Sequence, residues 1–303
     1  MIDFKVPRLK DCILIDTKEW VQNANSIIES RKMSGRTIPT YISKVQELDA
    51  ERGVFKNVLN KGDTVLLTRV ASEIAQYRTF AIEGNDKRYF SVPITQAIGV
   101  FKDKEMSLQS FQMLFDKILI KRIKEEELDG IAISESNTMV GEVVKTGWCR
   151  FDKNWNTLPM KTKVGDKVLI RDNVTTEVVL SGETYYATEE AMVVGIFKGG
   201  DLNLNSLWVI NDNVIFLPYI MEHLYGSVLI TPLLNYEDED TTDIYNRNLF
   251  KVVASDSALT KVKKDDIILV DRNVTNYVYL NSKKYFILSG IDCIEAKIEE
   301  RNQ

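Results

Sequence analysis

One phrase recurs three times along this chain and fixes its plan. It reads "NKGDTVLLTR" at 60–69, "KVGDKVLIRD" at 163–172 and "KKDDIILVDR" at 263–272. Measured from the aspartate that closes each turn, Asp63, Asp166 and Asp266, the intervals are 103 and 100 residues. That period is far too long for a solenoid repeat and equals the size of a small domain. The 303 residues therefore divide most simply into three tandem units of one type, 1–104, 105–199 and 200–303.

Each copy of the phrase sits in the same surroundings. A Lys-Gly-Asp or Lys-Asp-Asp turn leads into a short apolar run, the pattern of a strand entered from a tight turn. Upstream lies a second apolar strand: "DCILIDT" from Asp11, "DKILIKR" from Asp116 and "GSVLITP" from Gly226. Downstream, "RTFAIEGNDKRYFSVPITQAIGVF", "TTEVVLSGETYYATEEAMVVGIF" and "NYVYLNSKKYFILSGIDCIEAKI" each read as two strands around a polar turn and a closing apolar strand. Many short strands joined by turns indicate an all-β fold. The expectation is three tandem small β-barrels.

The middle unit carries a resemblance over about 85 residues, from Phe115 onward. Its opening strand "DKILIKR", the "DGIAI" of Asp129 to Ile133, the strand "GEVVKTG", the segment "GWCRFDKNWNTLPMKT", the core phrase "KVGDKVLI" and the closing "EEAMVVGI" occur in one order. In that order they resemble the opening strand, mobile-loop tip, second strand, roof hairpin, core strand and closing strand of a GroES-type co-chaperonin, the ring-forming lid of the chaperonin chamber. The resemblance implies a non-enzymatic protein that forms a homo-oligomeric ring. Its Gly130, Ile131, Ala132 and Ile133 would dock into an apolar groove of a large chaperonin. Two exposed isoleucines beside a glycine suit that task, each worth roughly 1.5 to 3 kcal/mol on burial. A ring presenting many such tips multiplies a weak contact. Read without the resemblance, Ile131 and Ile133 alternate around Ala132 and equally fit the inward positions of an ordinary strand.

The flanking units depart from this pattern and are degenerate copies of it. The first has the polar "KEWVQNANSIIESRKMSGRTIPT" in the loop position, and the third has the acidic "NYEDEDTTDIYNRN". Neither contains a Gly-Ile-type tip, and "QELDAERGVFKNVLNKGD" and "ASDSALTKVKKDD" are too short for a roof hairpin. A seven-unit lid also cannot be assembled from whole chains of three units. The alternative is a structural assembly protein of a bacteriophage virion, a ring, neck or capsid component that uses GroES-like units only as building blocks.

Composition bounds the remaining classes. Net charge is −5, with Lys and Arg interspersed among acidic neighbours, so nucleic acid is not the expected partner. No apolar run approaches the length of a membrane span, and "MIDFKVPRLKD" has no apolar signal core. Cys12, Cys149 and Cys293 are scattered and odd in number, which favours reduced thiols and a cytoplasmic setting, or the virion under the alternative. The single histidine, His223, and the lack of any nucleotide-binding, hydrolase or zinc-protease motif predict no cofactor, no metal and no catalysis. Between the units, residues 102–115 carry a one-sided apolar pattern that reads as helical, and residues 207–219 form an apolar stretch after a Gly-Gly pair. Such linkers pack against their neighbours rather than dangle.

Overall fold

The computed structural model describes residues 11–16, 31–33, 36–38, 42–50, 53–68, 71, 79–81, 88–102, 107–123, 138–171, 175–199, 201–219, 223–225, 228–230, 249–256, 262–270, 277–280, 283–289 and 294–298. Apart from Ala71, which is helical, every regular element among them is a strand or a single 3-10 turn, so the described part of the chain is nearly all β. The first sheet begins with β1 (Cys12–Asp16), after which β2 (Arg31–Met33) and β3 (Arg36–Ile38) form a separate ribbon. It continues with β4 (Ile42–Asp49), β5 (Thr64–Leu67), β6 (Thr79–Ala81), β7 (Arg88–Pro93), β8 (Ala97–Phe101) and β9 (Phe111–Met113), in the order β6-β7-β1-β4-β5-β8-β9.

The middle sheet starts with β10 (Lys117–Arg122) and β11 (Thr138–Thr146), followed by a small hairpin of β12 (Arg150–Phe151) and β13 (Thr157–Leu158). Then come β14 (Lys167–Arg171), β15 (Thr176–Leu180), β16 (Glu183–Glu189), β17 (Val193–Phe197) and β18 (Leu207–Val209), in the order β15-β16-β10-β11-β14-β17-β18. The third sheet holds β19 (Asn213–Pro218), with the ribbon β20 (His223–Tyr225) and β21 (Val228–Ile230) beside it in sequence. It is completed by β22 (Leu249–Ser255), β23 (Ile267–Val270), β24 (Tyr277–Leu280), β25 (Lys283–Ser289) and β26 (Ile294–Ile298), ordered β24-β25-β19-β22-β23-β26.

The first six strands follow the same order in all three sheets, and the first two sheets add a seventh, the linker strands β9 and β18. The irregularities of the three sheets coincide as well. The β1–β4, β10–β11 and β19–β22 ladders slip between Leu14 and Ile15, Leu119 and Ile120, and Ile215 and Phe216. The β5–β8, β14–β17 and β23–β26 ladders slip between Leu66 and Leu67, Leu169 and Ile170, and Leu269 and Val270. A bulge bends its strand and sharpens the twist, so the three sheets bend at equivalent places. As hydrogen-bonded, they are open ladders: among the described residues none closes into the barrel that the sequence suggests, because the outermost strands of each order are not neighbours.

The repeated phrase owes its recurrence to a self-capped turn. Asp63, Asp166 and Asp266 each accept, through Oδ2, the backbone N–H three residues earlier, that of Asn60, Lys163 and Lys263, at 2.8 Å. Within the turn, the N–H groups of Gly62, Gly165 and Asp265 donate to the carbonyls of Val45, Val143 and Val252 at 2.7, 2.8 and 2.8 Å. These three residues have φ of 91°, 88° and 72°, a region glycine enters freely and aspartate tolerates. The turn thus ties the second strand of each sheet to the third. The third strand then runs straight into the core, with Val65 to Leu67 and Val168 to Ile170 fully buried.

By contact density the chain separates into two compact units. One comprises residues Met1–Arg122, Gly141–Asp166 and Val174–Ala191, and the other Ile123–Val140, Lys167–Asn173 and Met192–Gln303. The first unit has a core around Ile13, Ile15, Val65 and Phe115 and another around Phe111, Leu119 and Val178. The second has cores around Leu169, Ile215 and Ile287 and around Phe216, Val252 and Ile268.

Where they are described, the linkers consist of turns and strands. Residues 107–110 make a turn rather than the expected helix, with Ser110 N donating to Ser107 Oγ at 3.2 Å, and the chain then enters β9. There Phe111 and Met113 are buried while Gln112 is exposed, a period of two. The edge of β8 offered backbone partners that a short helix would have left unused, and tertiary pairing overrode the helical periodicity. β18 pairs with β17 in the matching way.

Candidate functional site

The residues expected to grip a partner, Gly130, Ile131, Ala132 and Ile133, lie outside the described residues, in the 124–137 connection between β10 and β11. What is described is the base of that connection. The β10–β11 ladder continues to Arg122 opposite Gly141, and one step further Ile123 N donates to Val140 O at 3.1 Å. Met139 and Val140 are fully buried and Ile123 nearly so. The two stems therefore end at adjacent, core-anchored points.

The segment expected to be a roof hairpin is one. β12 and β13 pair as Arg150 with Leu158 and Phe151 with Thr157. Asp152 organises the tip: its Oδ1 accepts from Asn154 N and Asn156 N, and its Oδ2 from Asn156 Nδ2, all at 2.8 Å. These bonds, led by the Asn156 side chain, hold the Asp152 carboxyl below its ordinary value. Trp155, at φ 64°, turns its ring inward to meet Phe151 and Phe55 at centroid distances of 5.5 Å. Phe55 and Phe115 complete the cluster, 5.4 Å apart and edge to face. Hairpins this short are marginal alone, and here aromatic packing fixes one.

A buried carboxylate holds the hairpin's return strand. Glu190, fully buried on a 3-10 turn before β17, accepts through Oε1 from Lys161 N, Thr162 N and Thr162 Oγ1 at 2.8, 2.6 and 2.7 Å. Its Oε2 faces Arg150 Nε at 3.0 Å, and that nitrogen also donates to Pro159 O at 2.9 Å. Next to it, Lys117 is buried with its ammonium between Asp116 Oδ1 at 2.8 Å and Glu189 Oε1 at 3.0 Å. Gly147, at the end of β11, passes so close to this corner that a Cβ there would lie 1.8 Å from Phe115 O. None of these residues stood out in the sequence. The signal that could have found Glu190 is the doubled acid in "ATEEAMVVGI", a charge where a closing strand should already be apolar.

The other perturbed groups belong to structural bonds. Burial, then the bond to Glu183, pushes Tyr185 up to about 12, and Lys121 lowers Glu183 in turn. Burial raises the Cys149 thiol, with Asp116 adding to it, which makes that cysteine a poor nucleophile at neutral pH. Among the described residues no group of three or more His, Cys, Asp or Glu side chains is placed to hold a metal ion. No helix among them is long and apolar enough to cross a membrane.

Comparison with known proteins falls on this region. Residues 110–197 match the family described as the chaperonin 10 Kd subunit. Co-chaperonin GroES of Rickettsia typhi is 39% identical over 94 residues, 29% of this chain and 99% of that protein. The co-chaperonin GroES of Hydrogenobaculum sp. is 36% identical over 91 residues, 28% of this chain and 95% of that protein. That of Alkalilimnicola ehrlichii is 39% identical over 90 residues, again 28% and 95%. The matched stretch begins just before β9 and ends with β17, taking in the loop stems, the hairpin and Glu190. Through this segment the chain belongs to the GroES-type co-chaperonin family.

Proposed function

We propose that this chain is a non-enzymatic, cytoplasmic co-chaperonin-type lid. It forms a homo-oligomeric ring and binds a large chaperonin through Gly130, Ile131, Ala132 and Ile133. The observation that carries this reading is that nearly the whole length of each relative named above aligns with one segment of this chain. That segment includes the connection whose stems β10 and β11 present together. The shared strand order and bulge positions support a division into three GroES-like units, 1–104, 105–199 and 200–303, of which the outer two serve assembly.

The test is a chaperonin pull-down and ATPase assay with the full-length chain and with Ile131→Ser/Ile133→Ser. The wild type is expected to bind and change the ATPase rate, and the variant to lose both while melting at the same temperature. A wild type that neither binds nor alters ATPase sinks the lid.

A second reading, a bacteriophage virion component, is favoured by the outer sheets, whose described residues keep the strand order with no counterpart of the β12–β13 hairpin. Native mass spectrometry separates the two: a ring presenting seven middle segments supports the lid, and a ring of another order supports assembly alone.

A further inference from the structure

Among the described residues of the second compact unit, Trp208 on β18 is an exposed aromatic, with 51% of its surface open to solvent. The architecture does not require a tryptophan there. The equivalent linker strand of the first sheet, β9, has buried Phe111 and Met113 flanking an outward Gln112 as Leu207 and Val209 flank Trp208, and Gln112 pairs with Val100 as Trp208 pairs with Ile196. The large exposed ring thus stands where the first sheet has glutamine, outside what the two sheets share.

Its surroundings narrow what that is. Trp208 lines a groove of about 370 Å³ together with the apolar Leu204, Leu207, Val209, Val253 and Ala254, the polar Asn205 and Ser255, and the exposed Lys263 and Lys264. No carboxylate is among the described residues that line it. Lys198 sits over the indole ring, 4.7 Å from its centroid, adding a third ammonium beside Trp208. The two lysines are exposed and belong to the third copy of the repeated turn, where the first copy has Asn60-Lys61 and the middle copy Lys163-Val164, so the third copy is the one with two lysines side by side. The groove is thus an apolar trough with a rigid aromatic anchor and a cationic border in a chain of net charge −5. Aromatic anchors in desolvated pockets dominate interface energetics, and a rim of one sign steers and selects a partner of the other.

We propose that this groove is a docking site for an acidic peptide segment of a partner protein, one that lays an apolar side chain against Trp208 and its carboxylates against Lys198, Lys263 and Lys264. The site is independent of the chaperonin-binding loop, so it stands or falls separately from the lid.

Fluorescence anisotropy of a labelled acidic pentapeptide with a central phenylalanine, added to the full chain, tests it. A basic pentapeptide with the same centre and a short single-stranded DNA serve as counter-probes. The acidic peptide is expected to bind and the basic one not. Trp208→Gln, which borrows the residue of the first sheet and should fold, is expected to weaken binding about tenfold, about 1.4 kcal/mol. Lys263→Glu/Lys264→Glu is expected to abolish it. Equal binding of both peptides, binding unchanged in Trp208→Gln, or no binding of the acidic peptide overturns the proposal. Preference for the DNA over the acidic peptide replaces it with a nucleic-acid site.

Discussion

The first and middle sheets are built on one plan and differ at one corner. Both run hairpin, opening strand, second strand, core strand, closing strand and linker strand, and both bulge at matching positions. At the corner before the closing strand the middle sheet has Glu190 and the first has Ile94, each opening a 3-10 turn and each donating its N–H to the aspartate before the opening strand, Asp116 or Asp11. Glu190 holds the β12–β13 hairpin, while Ile94, 1% exposed, packs into an apolar core. Where the first sheet would need a hairpin it has a 3-10 turn, Gly53–Phe55, and Phe55 packs against Phe151 and Trp155 of the middle hairpin. The comparison teaches that the ladder is generic and the insertion is specific. One buried position records which sheet carries the insertion.

Exchanging the two residues breaks the comparison most strongly. Ile94→Glu puts a carboxylate into an apolar core, and the chain should lose about 4 kcal/mol or fail to fold, because an unpartnered buried charge costs several kcal/mol. Glu190→Ile leaves the N–H groups of Lys161 and Thr162 without their acceptor, at about 1 to 3 kcal/mol for each buried donor left unsatisfied, so a loss of about 3 kcal/mol is expected. Urea melts give both numbers. Amide exchange should show Arg150 to Thr162 losing protection in Glu190→Ile before the β10–β11 ladder does. If Glu190→Ile melts like wild type, the corner is not what holds the hairpin.

How much of this was legible beforehand follows from the kind of signal involved. The ladder was readable because turns and apolar runs are local: the Gly-Asp turns at 62–63 and 165–166 sit where the sequence puts them, and the strands they introduce bury Val65 to Leu67 and Val168 to Ile170. The hairpin was readable through the family resemblance. What was hidden depends on pairs distant in sequence. Glu190 meets Thr162 at a separation of 28 residues, Lys117 meets Glu189 at 72, and Arg171 meets Ser289 at 118. No local pattern marks a charge as buried until its partner is known. The helical expectation for 102–115 failed for a related reason, since only the fold reveals that β8 has an edge to be filled.

A smaller effect sharpens the comparison of the turns. Gly165 and Asp265 occupy equivalent left-handed positions, and an aspartate there carries strain that glycine does not. Asp265→Gly should stabilise the chain by about 0.5 to 1 kcal/mol, reduced by whatever the exposed Lys251–Asp265 pair at 3.0 Å contributes, which for such pairs is at most about 1 kcal/mol. Gly165→Asp should destabilise by a similar amount, about 1 kcal/mol. Thermal melts at low and high salt separate the two contributions, because only the ion pair is screened. If Asp265→Gly is destabilised at high salt too, the third turn is not strained in the way the other two imply.

The smallest expected effect is confined to the middle sheet, the one with this hairpin among the described residues. Asp152 is solvent-exposed, and the Asn156 side chain, with the Asn156 and Asn154 amides, holds its carboxyl below the ordinary 3.8. A carboxyl whose folded value is depressed contributes stability that is complete above its unfolded value and is lost as pH falls through the folded one. The hairpin tip should therefore keep its order as pH drops to the ordinary aspartate range and loosen only below it. Carbon-detected NMR of the Asp152 carboxyl should give a midpoint under 3.8, accompanied by loss of exchange protection at Asn154 and Asn156. The aromatic contacts of Phe151 and Trp155 with Phe55 do not titrate, so the rest of the hairpin should stay in place across that transition. Asp152→Asn should remove the acid transition without unfolding the strands. If Asp152 instead titrates at its ordinary value, the carboxylate does not organise the tip, and the hairpin is held by its rings and by Glu190.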